Sequence, residues 1–376
     1  MTPFKFEVLH KSKKSEARLG KIHTPHGIID TPSFVAVGTN GTIKGLDSRT
    51  VTEIGLQLMF CNTYHLLLQP GTEVIKEAGG LHEFIHRDLP IITDSGGFQV
   101  FSLAYGSVAD ELKSRGCKKT GDLVLKIDEE GVLFRSYRDG SKVLLTPETS
   151  IAAQKDLGAD IIIPFDELPP YHIKEEALKH SLARTHRWEK RSLDAHLKSP
   201  NGQAMYGVIH GGINLDYRKE SCEVLTNLNF DGFAIGGSMG KNKKEMQEIL
   251  SHTLPLLPKE KPNHLLGIGD LDSIDQGIIL GIDTFDSSYP TRAARHGVAL
   301  TKNGPLKLKK NANKTHFAPL EEGCTCPTCK RYSLAYLHHL FKAKELSALT
   351  MASIHNLHFM VEYMASIRKK ISNDEI

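Results

Sequence analysis

Short apolar runs recur along the chain, each closed by glycine or a polar residue, which is how buried parallel strands read in sequence. Eight stand out, at residues 34–37, 58–60, 91–93, 161–165, 206–209, 233–235, 265–268 and 282–285. Most are separated by stretches with helical punctuation, the clearest having Thr146 as cap, Pro147 at the first helical position and Gly158 as stop. This alternation predicts an α/β fold, a (β/α)8 TIM barrel over residues 1–301, with its chemistry on the loops that leave the carboxyl ends of the strands. A doubly wound open sheet is the other arrangement the pattern allows.

The rhythm breaks twice. Residues 132–137 and 142–145 flank Arg138-Asp139-Gly140, an Asp-Gly turn between β-prone runs, so a hairpin insertion is expected near 124–145. After the eighth run, Lys302, Lys307, Lys309, Lys310 and Lys314 occur with no acidic residue among them, and a cysteine cluster follows. An inserted subdomain is expected over 302–358. Ile354, Leu357, Val361 and Met364 then repeat at helical spacing, and residues 359–376 would end the last barrel helix.

Composition narrows the class. With 376 residues, 40% hydrophobic and 24% charged, the chain can bury a large core, which excludes disordered and disulfide-stapled proteins. No apolar run approaches the roughly 18 residues of a membrane helix, and Met1-Thr2-Pro3-Phe4-Lys5 lacks the order of a signal peptide. A soluble cytoplasmic protein with no membrane partner is expected. The net charge of +3 permits a polyanionic partner without demanding one.

Three acids stand at or beyond strand ends: Asp94 in Thr93-Asp94-Ser95-Gly96-Gly97-Phe98-Gln99, Asp166 beside Glu167, and Asp286 after Phe285. Any one of them alone is best explained as a helix cap. Three converging on one barrel mouth fit a reaction at a sugar carbon, with one acid as nucleophile and another as general acid or base. Glycine pairs at His210-Gly211-Gly212, Gly236-Gly237-Ser238 and Gly267-Ile268-Gly269-Asp270 offer backbone amides to a carbonyl or phosphate oxygen, a weak signal alone. Gly240-Lys241 is no P-loop, because positions 235 and 242 hold Ile235 and Asn242, and Gly267 to Gly269 lacks the third glycine of a dinucleotide fingerprint.

Cys324, Cys326 and Cys329 place three thiols within six residues, a spacing suited to tetrahedral zinc with one more ligand. His338, His339, His355 and His358 all lie downstream, and spacing does not choose among them. Four protein ligands saturate the ion, so this zinc is expected to be structural. Arg292 and Arg295, just beyond Asp286, form with the lysine run a basic track suited to a nucleic-acid backbone.

TDSGGFQ at 93–99, LTPE at 145–148, FDE at 165–167, Phe285-Asp286 with PTRAAR at 290–295, and CTCPTC with His355-Asn356 occur in order over nearly the whole chain. In these residues the chain resembles bacterial tRNA-guanine transglycosylases, the queuine tRNA-ribosyltransferase family. The resemblance implies a zinc-containing barrel, acting as a homodimer, that exchanges guanine 34 of tRNAs with a GUN anticodon for 7-aminomethyl-7-deazaguanine. It implies Asp286 as nucleophile on the ribose C1′ and Asp94 as general acid and base. Asp166 would read the Watson–Crick edge, Gly237 would donate its amide to the base carbonyl, and Phe98 and Leu266 would sandwich the base. Arg292 and Arg295 would grip the anticodon, and His355 would be the fourth ligand of one zinc per subunit.

Three positions depart from the family pattern. His210, at a substrate-binding position where glutamine is usual, can still donate to a carbonyl oxygen if the right nitrogen is protonated, which makes that contact sensitive to pH. Leu168 replaces a cysteine, and Ser238-Met239-Gly240-Lys241 is one residue shorter and basic where a loop with glutamate lines the substituent at position 7 of the base. That last departure leaves room for a salvage-type enzyme inserting queuine or another deazapurine. A metal-dependent amidohydrolase-type barrel would need a His-x-His pair early in the barrel, and Phe34-Val35-Ala36-Val37-Gly38-Thr39 has none. A zinc-stabilised RNA-binding protein is the non-enzyme alternative.

Overall fold

The structure, a computed structural model, describes residues 4–106, 108–115 and 123–376; Cys117 and Met1-Thr2-Pro3 lie outside the described residues. Eight parallel strands close into a barrel: β1 (Ser33–Val37), β2 (Met59–Cys61), β3 (Ile91–Thr93), β4 (Ile161–Ile162), β5 (Ala204–Ile209), β6 (Gly232–Ile235), β7 (Asn263–Leu265) and β8 (Thr284–Ser287). Each pairs with the next, and β8 returns to β1 with Asp286 opposite Val35. Closure excludes the open sheet. All eight predicted runs overlap strands, 91–93 with the same bounds and the other seven with bounds that differ by one to three residues. β4 stops early because Pro164 has no N–H for a ladder and the amides of Ile163 and Phe165 turn to the side chains of Gln154 and Ser192. β7 begins two residues and ends three residues earlier than expected, and β8 lies two later, so Asp286 sits inside a strand rather than after one.

Alternation along each strand divides the core. Val35, Phe60, Ile92, Ile161, Val208 and Ala234 fill the barrel interior, while Ala36, Met59, Ile91, Ile162, Ile209 and Phe233 face the surrounding helices. The N-terminal sheet (Lys5–Lys11, Arg18–Thr24, Gly27–Thr31), which the sequence did not announce, packs Ile22, Ile29, Phe4 and Phe6 onto that interior core. It is pinned by a buried Arg18–Asp283 pair, with Arg18 Nη2 2.6 Å from Asp283 Oδ2. The inserted hairpin is a three-stranded antiparallel sheet, Val124–Ile127, Val132–Arg135 and Lys142–Leu145. Thr146 caps the helix Pro147–Leu157, and Gly158 ends it in a left-handed conformation. One helix, Leu346–Ser372, runs through residues 358 and 359 without a break. Among the described residues no helix is long and apolar enough to cross a membrane.

Next to the amino end of β4, Asp160 accepts hydrogen bonds from His26 Nδ1 (2.8 Å), the His26 amide (3.2 Å), His82 Nε2 (3.1 Å) and the Ile91 amide (2.8 Å). The two imidazoles stack at 3.5 Å with 13° between their planes, so their lone pairs run parallel rather than converging as a chelate would require. This is a clasp joining three segments. Burial opposes the charge, but the bonds from His26 and His82 win and hold the Asp160 carboxyl far below the usual range; the bond to Asp160 raises His26. Asp160→Asn is expected to cost about 2–4 kcal/mol, since an amide N–H₂ would face buried donors. The clasp's His26 contribution is present at low pH and lost as His26 gives up its proton, so melting curves should show the gap between wild type and variant narrowing above about pH 6.5.

Candidate active site

Counting in twos along the strands places the chemistry. Two residues beyond interior Ile92, Val208, His264 and Thr284 come Asp94, His210, Leu266 and Asp286, all directed into the barrel mouth at the carboxyl ends. None of the three acids caps the helix that follows it.

Asp286 is 7% exposed. Its Oδ1 accepts from His264 Nε2 at 3.1 Å and from the Gly267 amide at 2.8 Å, while Oδ2 takes no hydrogen bond among the described residues. To donate to a carboxylate His264 must carry its hydrogen on Nε2, leaving Nδ1 to accept from Thr284 Oγ1 at 2.8 Å. Asp94 is held by Asn62 Nδ2 (2.5 Å) and Gln99 Nε2 (3.0 Å) on one oxygen and by the Thr63 amide (2.7 Å) on the other. Burial nevertheless pushes its carboxyl up to about 6, and the charge of Asp166 adds to the rise. One acid thus keeps an oxygen free, and the other is poised to trade a proton near neutrality.

Asp166 accepts from Ser95 Oγ on Oδ1 and from His210 Nε2 on Oδ2, both at 2.8 Å. A Cβ at Gly97 would lie 2.3 Å from Asp166 Oδ1, so only glycine leaves that oxygen accessible. Buried Arg218 staples the two glycine loops: Nε donates to Gly212 O (2.9 Å), Nη1 to Ile209 O and Gly236 O (both 2.8 Å), and Nη2 to Ser238 O (3.0 Å). Because the carbonyl and N–H of a trans peptide point opposite ways, drawing the Gly236 carbonyl toward Arg218 turns the Gly237 N–H away from it. That N–H meets no acceptor among the described residues. Phe98, 46% exposed, lies on the helix Gly97–Tyr105 that begins beside Asp166, and Leu266 follows β7. Arg292 and Arg295 lie on the helix Tyr289–Arg295 directly after β8, the first exposed, the second half-buried.

Away from the mouth, Cys324, Cys326, Cys329 and His355 bring their ligand atoms within 4.8 Å of one another. The three sulfurs stand 3.7, 3.6 and 3.4 Å from His355 Nδ1. Bonds of about 2.3 Å to sulfur and about 2.0–2.1 Å to nitrogen, spread tetrahedrally, imply separations of roughly 3.5–3.6 Å, so the group fits a metal of zinc's size. His355 donates Nε2–H to Leu300 O at 2.8 Å, which leaves Nδ1 free to ligate. His338 donates Nδ1–H to Leu308 O and stands outside this group, and His358 pairs with Thr325. Adjacent Asn356 bonds the carbonyls of Pro290 and Val298 and the amide of Leu300, tying the metal group to the segment that carries Arg292 and Arg295.

Motif reading passed over His264, Asn62 and Arg218, whereas the Gly267 amide lies in one of the strand-end glycine pairs it marked as donors. His264 was findable, as a polar residue at an inward position of an apolar barrel strand; Arg218, in mid-helix, carried no local signal. A family model described as queuine tRNA-ribosyltransferase matches residues 12–376. The queuine tRNA-ribosyltransferase of Protochlamydia amoebophila is 72% identical over 376 residues, covering 100% of this chain and 97% of the relative. Those of Chlamydia caviae and Chlamydia trachomatis serovar L2 are 58% and 56% identical, each covering 99% of both chains. Matched from end to end by these relatives and by the family model, the chain belongs to the queuine tRNA-ribosyltransferase family.

Proposed function

We propose that this enzyme exchanges guanine 34 of tRNAs with a GUN anticodon for a 7-deazaguanine base through a covalent intermediate on Asp286. The carrying observation is the pair of differently prepared carboxyls at one barrel mouth. Asp286 Oδ2 attacks the ribose C1′ as the C1′–N9 bond breaks, and Asp94 delivers the proton that lets guanine leave. The incoming base then attacks C1′, its N9 proton passes to Asp94, and the ester to Asp286 opens. Asp166 and the Gly237 amide read the base edge and carbonyl, Phe98 and Leu266 cover its faces, and Arg292 and Arg295 hold the anticodon. Stacked apolar walls exclude water while the ester waits for its second base. Cys324, Cys326, Cys329 and His355 would hold one structural zinc, which supplies no chemistry to the exchange.

Incorporation of radiolabelled guanine into tRNA tests the reading: an RNA-binding protein without exchange activity incorporates none. Competition among guanine, 7-aminomethyl-7-deazaguanine and free queuine identifies the preferred base. The shortened basic loop from Ser238 to Lys241 favours a second reading, in which queuine or another bulkier deazapurine is inserted. Asp94 adds a pH signature. Capture of the incoming base needs Asp94 ionised, so the rate at which isolated adduct reacts with free base should fall as pH drops below about 6. A rate constant down to about pH 5 refutes that role.

A further inference from the structure

The family's usual glutamine is replaced by a residue whose donors depend on charge. His210 is 2% exposed; its Nε2 is committed to Asp166 Oδ2 at 2.8 Å, and its Nδ1, equally buried, has no partner among the described residues. Because a carboxylate accepts only, the ring hydrogen of neutral His210 stays on Nε2 and Nδ1 presents a lone pair. A Cβ built on Gly237, whose φ is +78°, would lie 3.0 Å from Nδ1 and 3.4 Å from Arg218 Nη2. Nδ1 thus stands beside the backbone whose amide Arg218 turns outward. A carbonyl oxygen docking on the Gly237 N–H would meet that amide as a donor but the neutral ring as a second acceptor, and a buried lone pair facing another is costly. A glutamine amide would donate at any pH.

We propose that His210 determines specificity for a 6-oxopurine and does so as an imidazolium, taking up a proton when the base binds so that Nδ1–H donates to the base carbonyl while Nε2–H stays on Asp166. The inference rests on the reading of Asp166 and Gly237 as the base-binding groups. The surrounding charges support it. Asp166 is a direct counter-ion on the β4 side. On the helix Glu175–Leu197, burial pushes the Glu189 carboxyl well above the usual carboxylate range, and burial first, with the charges of His210 and Arg187, pulls His186 down to about 4, so it adds no positive charge near neutrality. Arg218, on the helix Leu215–Thr226, is an opposing cation nearby, and its donors are occupied by four backbone carbonyls.

The test is the KM for free guanine, at saturating tRNA, in wild type and His210→Gln across the interval of about pH 5 to about pH 8 in which imidazoles change charge. Wild-type KM should rise at least about tenfold toward the alkaline end, while the variant's stays within about twofold and the two kcat profiles keep the same shape. A flat wild-type KM, or a slope that His210→Gln retains, overturns the proposal; the first readout needs no variant to fold. Calorimetric titration with 7-deazaguanine in two buffers of different ionisation enthalpy reads proton uptake without catalysis. Uptake by wild type but not by His210→Gln is expected, and equal uptake by both overturns the proposal. Proton-linked binding without guanine exchange would instead sink the exchange reading and leave His210 in its role, and exchange with proton-independent binding would do the reverse.

Discussion

Asp286→Asn is expected to fold, to bind tRNA and to form no covalent adduct, with base exchange reduced on the order of 10⁴-fold or more, as when other covalent enzymes lose their nucleophile. The geometry gives reasons for each part. Among the described residues Asp286 has no Lys or Arg partner, so removing its charge leaves no buried cation behind. The amide oxygen of asparagine can accept from His264 Nε2 and the Gly267 N–H as Oδ1 does now, and the strand register with Val35 is untouched. What disappears is the second oxygen, which alone is free to bond with C1′. Denaturing gels after incubation with tRNA read the result directly. Undiminished adduct would move the nucleophile elsewhere, and loss of tRNA binding together with the adduct would show that the substitution reached beyond the chemistry.

The barrel was legible because its strands are apolar at both parities, and such runs register whichever way each residue faces. What escaped was structure whose pattern is carried by polar atoms. The N-terminal strand Arg18–Thr24 buries Arg18, Gly20, Ile22 and Thr24, a set with a single large hydrophobe, so its alternation does not read as amphipathic. β7 begins with Asn263 and His264, so it looked later and more apolar than it is; the same two residues hide the partner of Asp286. The acids themselves were legible as a group of three, since only a closed barrel brings the ends of β3, β4 and β8 to one opening. Their more distant supports were not: Asn62 reaches Asp94, Ser95 reaches Asp166 and His264 reaches Asp286 through hydrogen bonds between separate segments, which no local pattern encodes. The thiol cluster lay open in its spacing, while the choice of His355 over His338 required the folded chain, which brings Nδ1 of His355 within 3.7 Å of all three sulfurs.

Cys326→Ser is expected to abolish the zinc binding proposed for this group and to lower the melting temperature by at least about 10 °C, because apparent zinc binding in closed sites of this type is worth about 10–16 kcal/mol and each kcal/mol moves a chain of this size by about 2–4 °C. Cys326 is fully buried, and its sulfur also accepts the Cys329 amide at 3.3 Å at the start of the helix Pro327–Arg331. Buried Cys326 and Cys329 pack with Leu320, Leu337, Ala348, Ala352 and with Ala294, so the metal group belongs to a small core shared with the helix that carries Arg292 and Arg295. Its loss should therefore travel. With Leu300 and Pro290 no longer anchored through His355 and Asn356, tRNA affinity should fall although both arginines are chemically intact, whereas the eight-stranded barrel and the Asp94 environment persist. Elemental analysis should show one zinc per chain in wild type and none in the variant, and filter binding should show the weakened tRNA complex. A serine variant that melts with wild type and keeps its metal would mean that these four side chains do not hold the subdomain together. One that loses metal and stability but binds tRNA undiminished would separate the zinc group from the anticodon grip and place its role in folding alone.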